Sequence, residues 1–431
     1  MISKLYLSVF ILLMSLSMFA QKYSLKGNIL NCKSEYLEIS KYNFNNKNYI
    51  DSIKIKDNKI YIDLSGFEKG MYNIKNKYMS VDFIFNDENI EMIYDCGKKE
   101  NVIITKSVEN KILNEFFDFY ETNNLSYTLL SQLQNYYPKQ DDFYNDIIDK
   151  INQLNQDNID YIDSINKEFS KTLVSEILQL YMPNKTDFLD TNVLYSNDLK
   201  NTVFLGDLII SYINTYQKKN YTKEQQENAF KPAIDVIFNT FKNNPSLSIN
   251  VADYLVDKFR YFEFDEISEY IAEKTSVYKN DNCLKNTILQ NKYNNITALL
   301  NIQLGKQAPN FNIRKNINLY DIKSEYKLLI FWTSWCSHCE EFIDKLIVNN
   351  KDLPDNIKIV TYSLDFEEKD WKDISKKFPI TWINHCMCND ATEAVPDAYA
   401  VYSTPAVFYL DKNNVIIDKP KKFEDIEGLI Y

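Results

Sequence analysis

Cys336-Ser337-His338-Cys339 sets two thiols three positions apart, with one of the chain's two histidines between them. The pair follows the apolar run Leu328–Trp332 directly. Phe342, Ile343 and Leu346 continue after it at helical spacing. A C-x-x-C at a strand-to-helix junction has a physical purpose. The first sulfur meets unpaired helix N–H groups and the helix dipole, which favour a thiolate. The second lies one turn on, close enough to close a disulfide. That is the chemistry of dithiol–disulfide exchange. The same spacing also serves half of a zinc site, which needs two more ligands, or a structural disulfide. His385-Cys386-Met387-Cys388 is a second cluster. Its sulfur and imidazole groups suit a local disulfide, free thiols, a redox relay to Cys336 and Cys339, or a soft metal ion.

The elements that must position these residues alternate in the last zone, about 303–431. Leu328–Trp332 reads as a strand buried on both faces, and Ile357–Leu364 as another. Glu368–Phe378 reads as a helix, Ile380–Asn384 as a strand, Pro396–Tyr402 as a short helix and Ala406–Leu410 as a strand. Asn413-Asn414 turns the chain into Val415-Ile416-Ile417. The result is an α/β domain closed by an antiparallel hairpin.

Ahead of it lie two zones of different period. Residues 21–106 alternate with period two. Ile53 and Ile55 face Ile60, Ile62 and Leu64 across Asp57-Asn58. Val81–Phe85 and Ile90–Tyr94 make a second pair. The expectation is a small antiparallel β-sandwich with two hairpins. Residues 107–302 turn helical. Ile234, Ile237, Phe238 and Phe241 follow Pro232, which reads as an early-helix residue. Ile267, Tyr270 and Ile271 repeat the spacing, and Asn244-Pro245 separates two helices. Cys32, Cys96 and Cys283 are scattered and read as small buried hydrophobes.

Residues 1–20 read as a signal peptide. Lys4 supplies a positive start, Leu5–Leu16 an apolar run, and Ser15, Ser17 and Ala20 the small residues before cleavage. A short N-terminal membrane anchor is the alternative. Cys32 lies too far downstream for lipid acylation. The expectation is an exported protein of the periplasm or cell envelope, soluble or N-terminally anchored.

Composition excludes other classes. The chain has 431 residues, with 49 basic and 60 acidic side chains and a net charge of −11. Its length suggests two or three domains at about 150 residues each. The acidic balance argues against nucleic acid. Arg260 and Arg314 are the two arginines, glycine is scarce at 7, and no Gly-rich nucleotide loop occurs. No cofactor and no metal is called for.

Trp332-Thr333-Ser334-Trp335-Cys336-Ser337-His338-Cys339 resembles the active-site strand and helix of thioredoxin-fold proteins. The wider pattern resembles the extracytoplasmic TlpA/ResA-type thiol–disulfide oxidoreductases. It opens at Ala308-Pro309-Asn310-Phe311 and runs through Tyr362-Ser363-Leu364-Asp365 and Trp371. It ends at Tyr402-Ser403-Thr404-Pro405 and Phe408-Tyr409-Leu410-Asp411. The first two zones resemble, more weakly, the accessory N-terminal region of such proteins in Bacteroidetes. The overall expectation is a multidomain chain with a C-terminal α/β thioredoxin fold.

The resemblance implies roles. Cys336 is the nucleophile and Cys339 the resolving cysteine. Trp335 precedes the pair and His338 lies within it, as supporting residues. Thr404 precedes a cis Pro405, and its backbone faces the sulfurs and a substrate segment. The implied function is disulfide reduction on a disulfide-bearing protein substrate, recharged by a membrane or periplasmic thiol electron donor. Two departures matter. The buried Asp of thioredoxin proper, six residues before the first cysteine, is here Ile330. Glu367 is the candidate proton acceptor for Cys339 instead. An imidazole at His338 lowers the thiol pKa, whereas Glu340 and Glu341 oppose it, so redox direction stays open. Peroxiredoxins share the fold, but their proline position is Ile330 here, and no arginine lies downstream of Arg314. The rival reading is an extracytoplasmic binding or assembly protein whose thioredoxin domain is not catalytic.

Overall fold

The computed structural model describes residues 22–78, 80–97, 102–182, 199–314, 317–389 and 394–430. The signal-peptide reading of residues 1–20 lies outside them. The chain forms two compact units that divide after Thr215.

The first unit begins with eight strands: β1 (Ser24–Leu30), β2 (Tyr36–Asn43), β3 (Asn46–Lys54), β4 (Lys59–Asp63), β5 (Gly70–Lys75), β6 (Ser80–Phe85), β7 (Ile90–Asp95) and β8 (Val102–Lys106). They form two sheets, ordered β4-β1-β7-β8 and β3-β2-β5-β6. Alternate residues of both, including Leu25, Ile39, Ile62, Ile74, Phe83 and Met92, share one buried core. Every pair is antiparallel except β1 with β7, which run parallel.

Both expected hairpins are in fact crossings between the sheets. Asp57 and Asn58 do make a tight turn, with φ 50 and 57, and Lys56 bridges Lys59. But β3 and β4 belong to different sheets, as do β6 and β7. Alternation tells which face of a strand is buried, not which sheet it joins. The parallel β1–β7 pair also overturns the reading of two cysteines as lone hydrophobes. Leu30 is paired with Asp95, so residues just beyond leave the sheet together, and Cys32 is disulfide-bonded to Cys96.

Helices α1 (Val108–Gln134), α2 (Asp142–Glu168), α3 (Leu173–Gln179) and α4 (Phe204–Asn214) complete this unit. Ser107, Asp141 and Thr172 cap the first three with side-chain acceptors. Phe116, Ile162, Leu173 and Ile177 pack with Tyr42, Met71 and Ile84 from the sandwich.

The second unit opens with α5 (Lys223–Phe241), α6 (Pro245–Tyr261), α7 (Asp265–Ser276) and α8 (Thr287–Ala298). Thr222 and Gln225 form a capping box that starts α5, so Pro232 lies inside the helix rather than near its start. Asn244 caps α6 with Pro245 at its first position. A short hairpin follows, β9 (Asn312–Arg314) with β10 (Ile317–Asn318). Then come β11 (Tyr326–Trp332), α9 (Ser337–Asn349), β12 (Ile357–Ser363), α10 (Glu368–Ser375), β13 (Ile383–Cys386), α11 (Val395–Ala398), β14 (Ala406–Asp411), β15 (Ile416–Asp418) and α12 (Phe423–Ile430).

The sheet order is β13-β12-β11-β14-β15. The first three strands are parallel and the last two antiparallel. Leu328, Ile330 and Trp332 face Phe342, Ile343 and Leu346 of α9 and Phe423 and Ile426 of α12. On the other face Phe331 meets Tyr362, Tyr399 and Phe408 at ring separations of 5.4, 4.9 and 5.9 Å. That two-sided burial explains the continuous apolar run of β11. The strand expected over Ile380–Asn384 sits three residues later, with Ile380 fully exposed. The terminal α12 is absent from the sequence reading. Its apolar residues are too few over eight positions to mark a helix by period alone.

Candidate active site

Parallel strands β11 and β12 end side by side, with Trp332 paired to Ser363. The chain leaving β11 must turn sharply into α9, and polar groups hold that turn. The Asp365 carboxylate is buried. It accepts hydrogen bonds from the Ser334 amide at 3.0 Å, the Ser334 hydroxyl at 2.8 Å and the Ser363 hydroxyl at 2.6 Å. The Leu364 amide donates to the Trp332 carbonyl at 2.8 Å. In the sequence Asp365 stands out only as part of a resemblance. Its structural signal is the serine spacing around it, which becomes readable once β11 and β12 are neighbours.

This anchored turn delivers Cys336 to the N-cap of α9. Its Sγ accepts a hydrogen bond from the Cys339 amide at 3.3 Å. The same sulfur lies 3.3 Å from the Thr404 carbonyl, to which the thiol donates. The Thr404–Pro405 peptide bond is cis. Four residues singled out in the sequence, Cys336, Cys339, Thr404 and Pro405, are therefore brought together. Trp335 is 80% exposed beside the pair, and His338 is exposed in the first turn of the helix. Glu367 is not brought in. It is exposed just before α10, and among the described residues no hydrogen bond joins it to either cysteine. The nearest buried carboxylate in that segment is Asp365, already engaged by the two serines.

The two thiols are electrostatically unlike. Burial pushes the Cys336 thiol up, but hydrogen bonds with the Cys339 and Thr404 side chains and with the Cys339 and His338 amides outweigh it, holding Cys336 below the ordinary thiol value. Burial, reinforced by Cys336, pushes Cys339 up to about 12. A half-exposed acidic thiol thus stands in front of a buried neutral one. That asymmetry suits attack by the first and delayed ionisation of the second.

Of the other cysteines, Cys386 and Cys388 are joined as a disulfide with Cα atoms 5.2 Å apart, within the reach such a bond needs. Cys283 is free, its thiol pushed up to about 11 by burial and by Asp281. Among the described residues no group of three or more His, Cys, Asp or Glu side chains is placed to hold a metal ion.

Residues 324–416 match a protein family described as thioredoxin-like. Residues 324–416 thus form a thioredoxin-like domain, whose cysteine pair is placed for thiol–disulfide exchange. The chain is similar to the thioredoxin-like protein YneN of Bacillus subtilis, at 28% identity over 121 residues, 27% of this chain and 71% of that protein. It is also similar to the thioredoxin domain of a thiol-disulfide oxidoreductase from Bacteroides vulgatus. That likeness has 24% identity and a TM-score of 0.26, and covers 30% of this chain and 99% of that one. A thioredoxin-like protein from Bacteroides caccae aligns over 60% of this chain and 92% of its own, with 17% identity and a TM-score of 0.38.

Proposed function

We propose that this chain is an exported disulfide reductase acting on protein substrates. The observation that carries the reading is the asymmetric thiol pair: Cys336 lowered and half-exposed, Cys339 raised to about 12 and buried.

In the first step the Cys336 thiolate attacks one sulfur of a substrate disulfide. An S–S bond forms between Cys336 and substrate as the substrate's own S–S bond breaks, and one substrate thiolate leaves. Cys339 then loses its proton and attacks the Cys336 sulfur. The second substrate thiolate leaves, and Cys336 and Cys339 end as a disulfide. Two electrons have passed to the substrate. A thiol donor of the membrane or periplasm returns them. Thr404, whose carbonyl lies beside Cys336, offers backbone to an extended substrate segment.

Export rests on Lys4, the Leu5–Leu16 run and Ala20. Among the described residues no helix is long and apolar enough to cross a membrane. Protein from the native cell should begin near Met18 or Gln21.

The test is turnover of a protein disulfide by the reduced chain, with Cys339→Ser run in parallel. The variant should accumulate mixed disulfides through Cys336. Absence of turnover by the wild type would favour the binding or assembly reading.

A further inference from the structure

The segment that presents Thr404 to Cys336 has no regular structure between Ala400 and Pro405. It is also strained. Ala400 adopts φ 46, a left-handed conformation that a residue with a Cβ reaches only when its surroundings impose it. Backbone bonds secure its start: the Ala400 amide donates to Asp397 at 3.0 Å and the Val401 amide to Pro396 at 2.8 Å.

The remaining restraint comes from helices outside the thioredoxin fold. Arg260, in the last turn of α6, donates through Nη2 to the Ala400 carbonyl at 2.7 Å. Its guanidinium also lies 3.8 Å from the centre of the Tyr402 ring, a close cation–π stack. The Tyr402 hydroxyl donates to the Asn295 carbonyl of α8 at 3.1 Å. Residues four and two places before Thr404 are thus each held by that helical layer. Ion pairs fasten the layer to the chain after β15: Lys419 with Glu269 at 2.6 Å and Lys421 with Asp265 at 2.5 Å. Arg260, Tyr261, His338, Tyr402, Thr404 and Pro405 line one cleft of about 850 Å³.

We propose that Arg260 is a positioning residue, which sets Thr404 against Cys336 by holding Ala400 and Tyr402. The proposal rests on the reading of Cys336 as the reactive thiol. Arginine suits the task. Its planar fork donates to a carbonyl and stacks on a ring at once, which a lysine ammonium does not do. Guanidinium Nη1 is buried with no hydrogen-bond partner among the described residues. This cost is tolerated for the two contacts the other face and edge of the group make. The helices α6 and α8 are then part of the reactive unit, not an appendage to it.

The experiment titrates Cys336 by the pH dependence of its alkylation rate in reduced full-length protein, alongside reduction of a disulfide-bonded peptide. Arg260→Ala and Tyr402→Leu should loosen Thr404, whose carbonyl and side chain both meet Cys336, and so shift the alkylation midpoint and raise KM for the peptide. Tyr402→Phe keeps the ring and should move neither as far. Arg260→Lys should not restore the wild-type midpoint. A folded Arg260→Ala protein with unchanged midpoint and KM overturns the proposal. If that variant does not fold, Tyr402→Leu against Tyr402→Phe decides between the same two outcomes. Failure of the reductase reading is distinct: wild-type protein would itself turn over no disulfide, whatever the variants did to the titration.

Discussion

The Cys386 sulfur lies 3.4 Å from the carbonyl oxygen of Asp365. The carboxylate of the same Asp365 holds Ser334, two residues ahead of Cys336. One buried residue therefore sits between the second cysteine cluster and the reactive turn.

Asp365→Asn should loosen that turn. An amide there would bring N–H donors against donors it now accepts from. Leaving buried groups unsatisfied costs about 1–3 kcal/mol. The expected outcome is a loss of that size in denaturant unfolding, together with slower alkylation of Cys336. Ser334→Ala removes one donor only, and should cost less on both measures.

The His338 backbone amide is the smallest of the contributions that hold Cys336 low, whereas the sequence suggested the imidazole. Two substitutions separate the routes. His338→Ala keeps the amide and should leave the Cys336 alkylation midpoint where it is. His338→Pro removes the donor at a position where proline's fixed φ fits a helix start, and should raise the midpoint. A midpoint that moves with alanine as far as with proline would return the effect to the side chain.

The pH dependence of reactivity has a definite sign. Cys336 is lowered from the ordinary thiol value, so its alkylation rate should climb with pH with a midpoint below the free-thiol value of about 8.5. Cys339 at about 12 stays protonated across that range. Two labels entering together near neutral pH would contradict the assignment.

Replacing both Cys386 and Cys388 with serine should leave reduction of a small disulfide by Cys336 unchanged. The pair is already bonded, and Cys386 is at the end of β13, two strands from β11. A fall in turnover would mean that this disulfide exchanges electrons with Cys336.

Cys32→Ser with Cys96→Ser should destabilise the sandwich. The bond closes a sequence separation of 64, and removing a native disulfide of this kind typically costs about 2–4 kcal/mol. Chemical denaturation followed through the β-sheet signal measures it.

What could be read from the sequence was what neighbours along the chain decide. The strand before Cys336, the helix after it, and Thr404-Pro405 ahead of β14 each carry their own local pattern. What escaped was decided across distance. Arg260 meets Ala400 and Tyr402 only because α6 packs beside that segment, and no local spacing announces it. Cys32 and Cys96 looked unrelated because a parallel pairing of β1 with β7 joins them. Glu367 and Asp365 share one short stretch, yet the strand end buries Asp365 and leaves Glu367 in solvent. Period alone cannot distinguish them.

The parallel β1–β7 pair also governs the order in which the sandwich can be assembled. Strand β1 is made first, but its partners are β4 and β7, which are made later. It cannot gain its second neighbour until the chain has been synthesised or threaded past Asp95. Pairings between distant segments are slow because the intervening loop must first be closed. During that interval the leading strand keeps an open edge, the surface on which unfinished chains adhere to one another. A chain interrupted between β4 and β7 should therefore aggregate, whereas one that runs on through the helices packed on the sandwich should not.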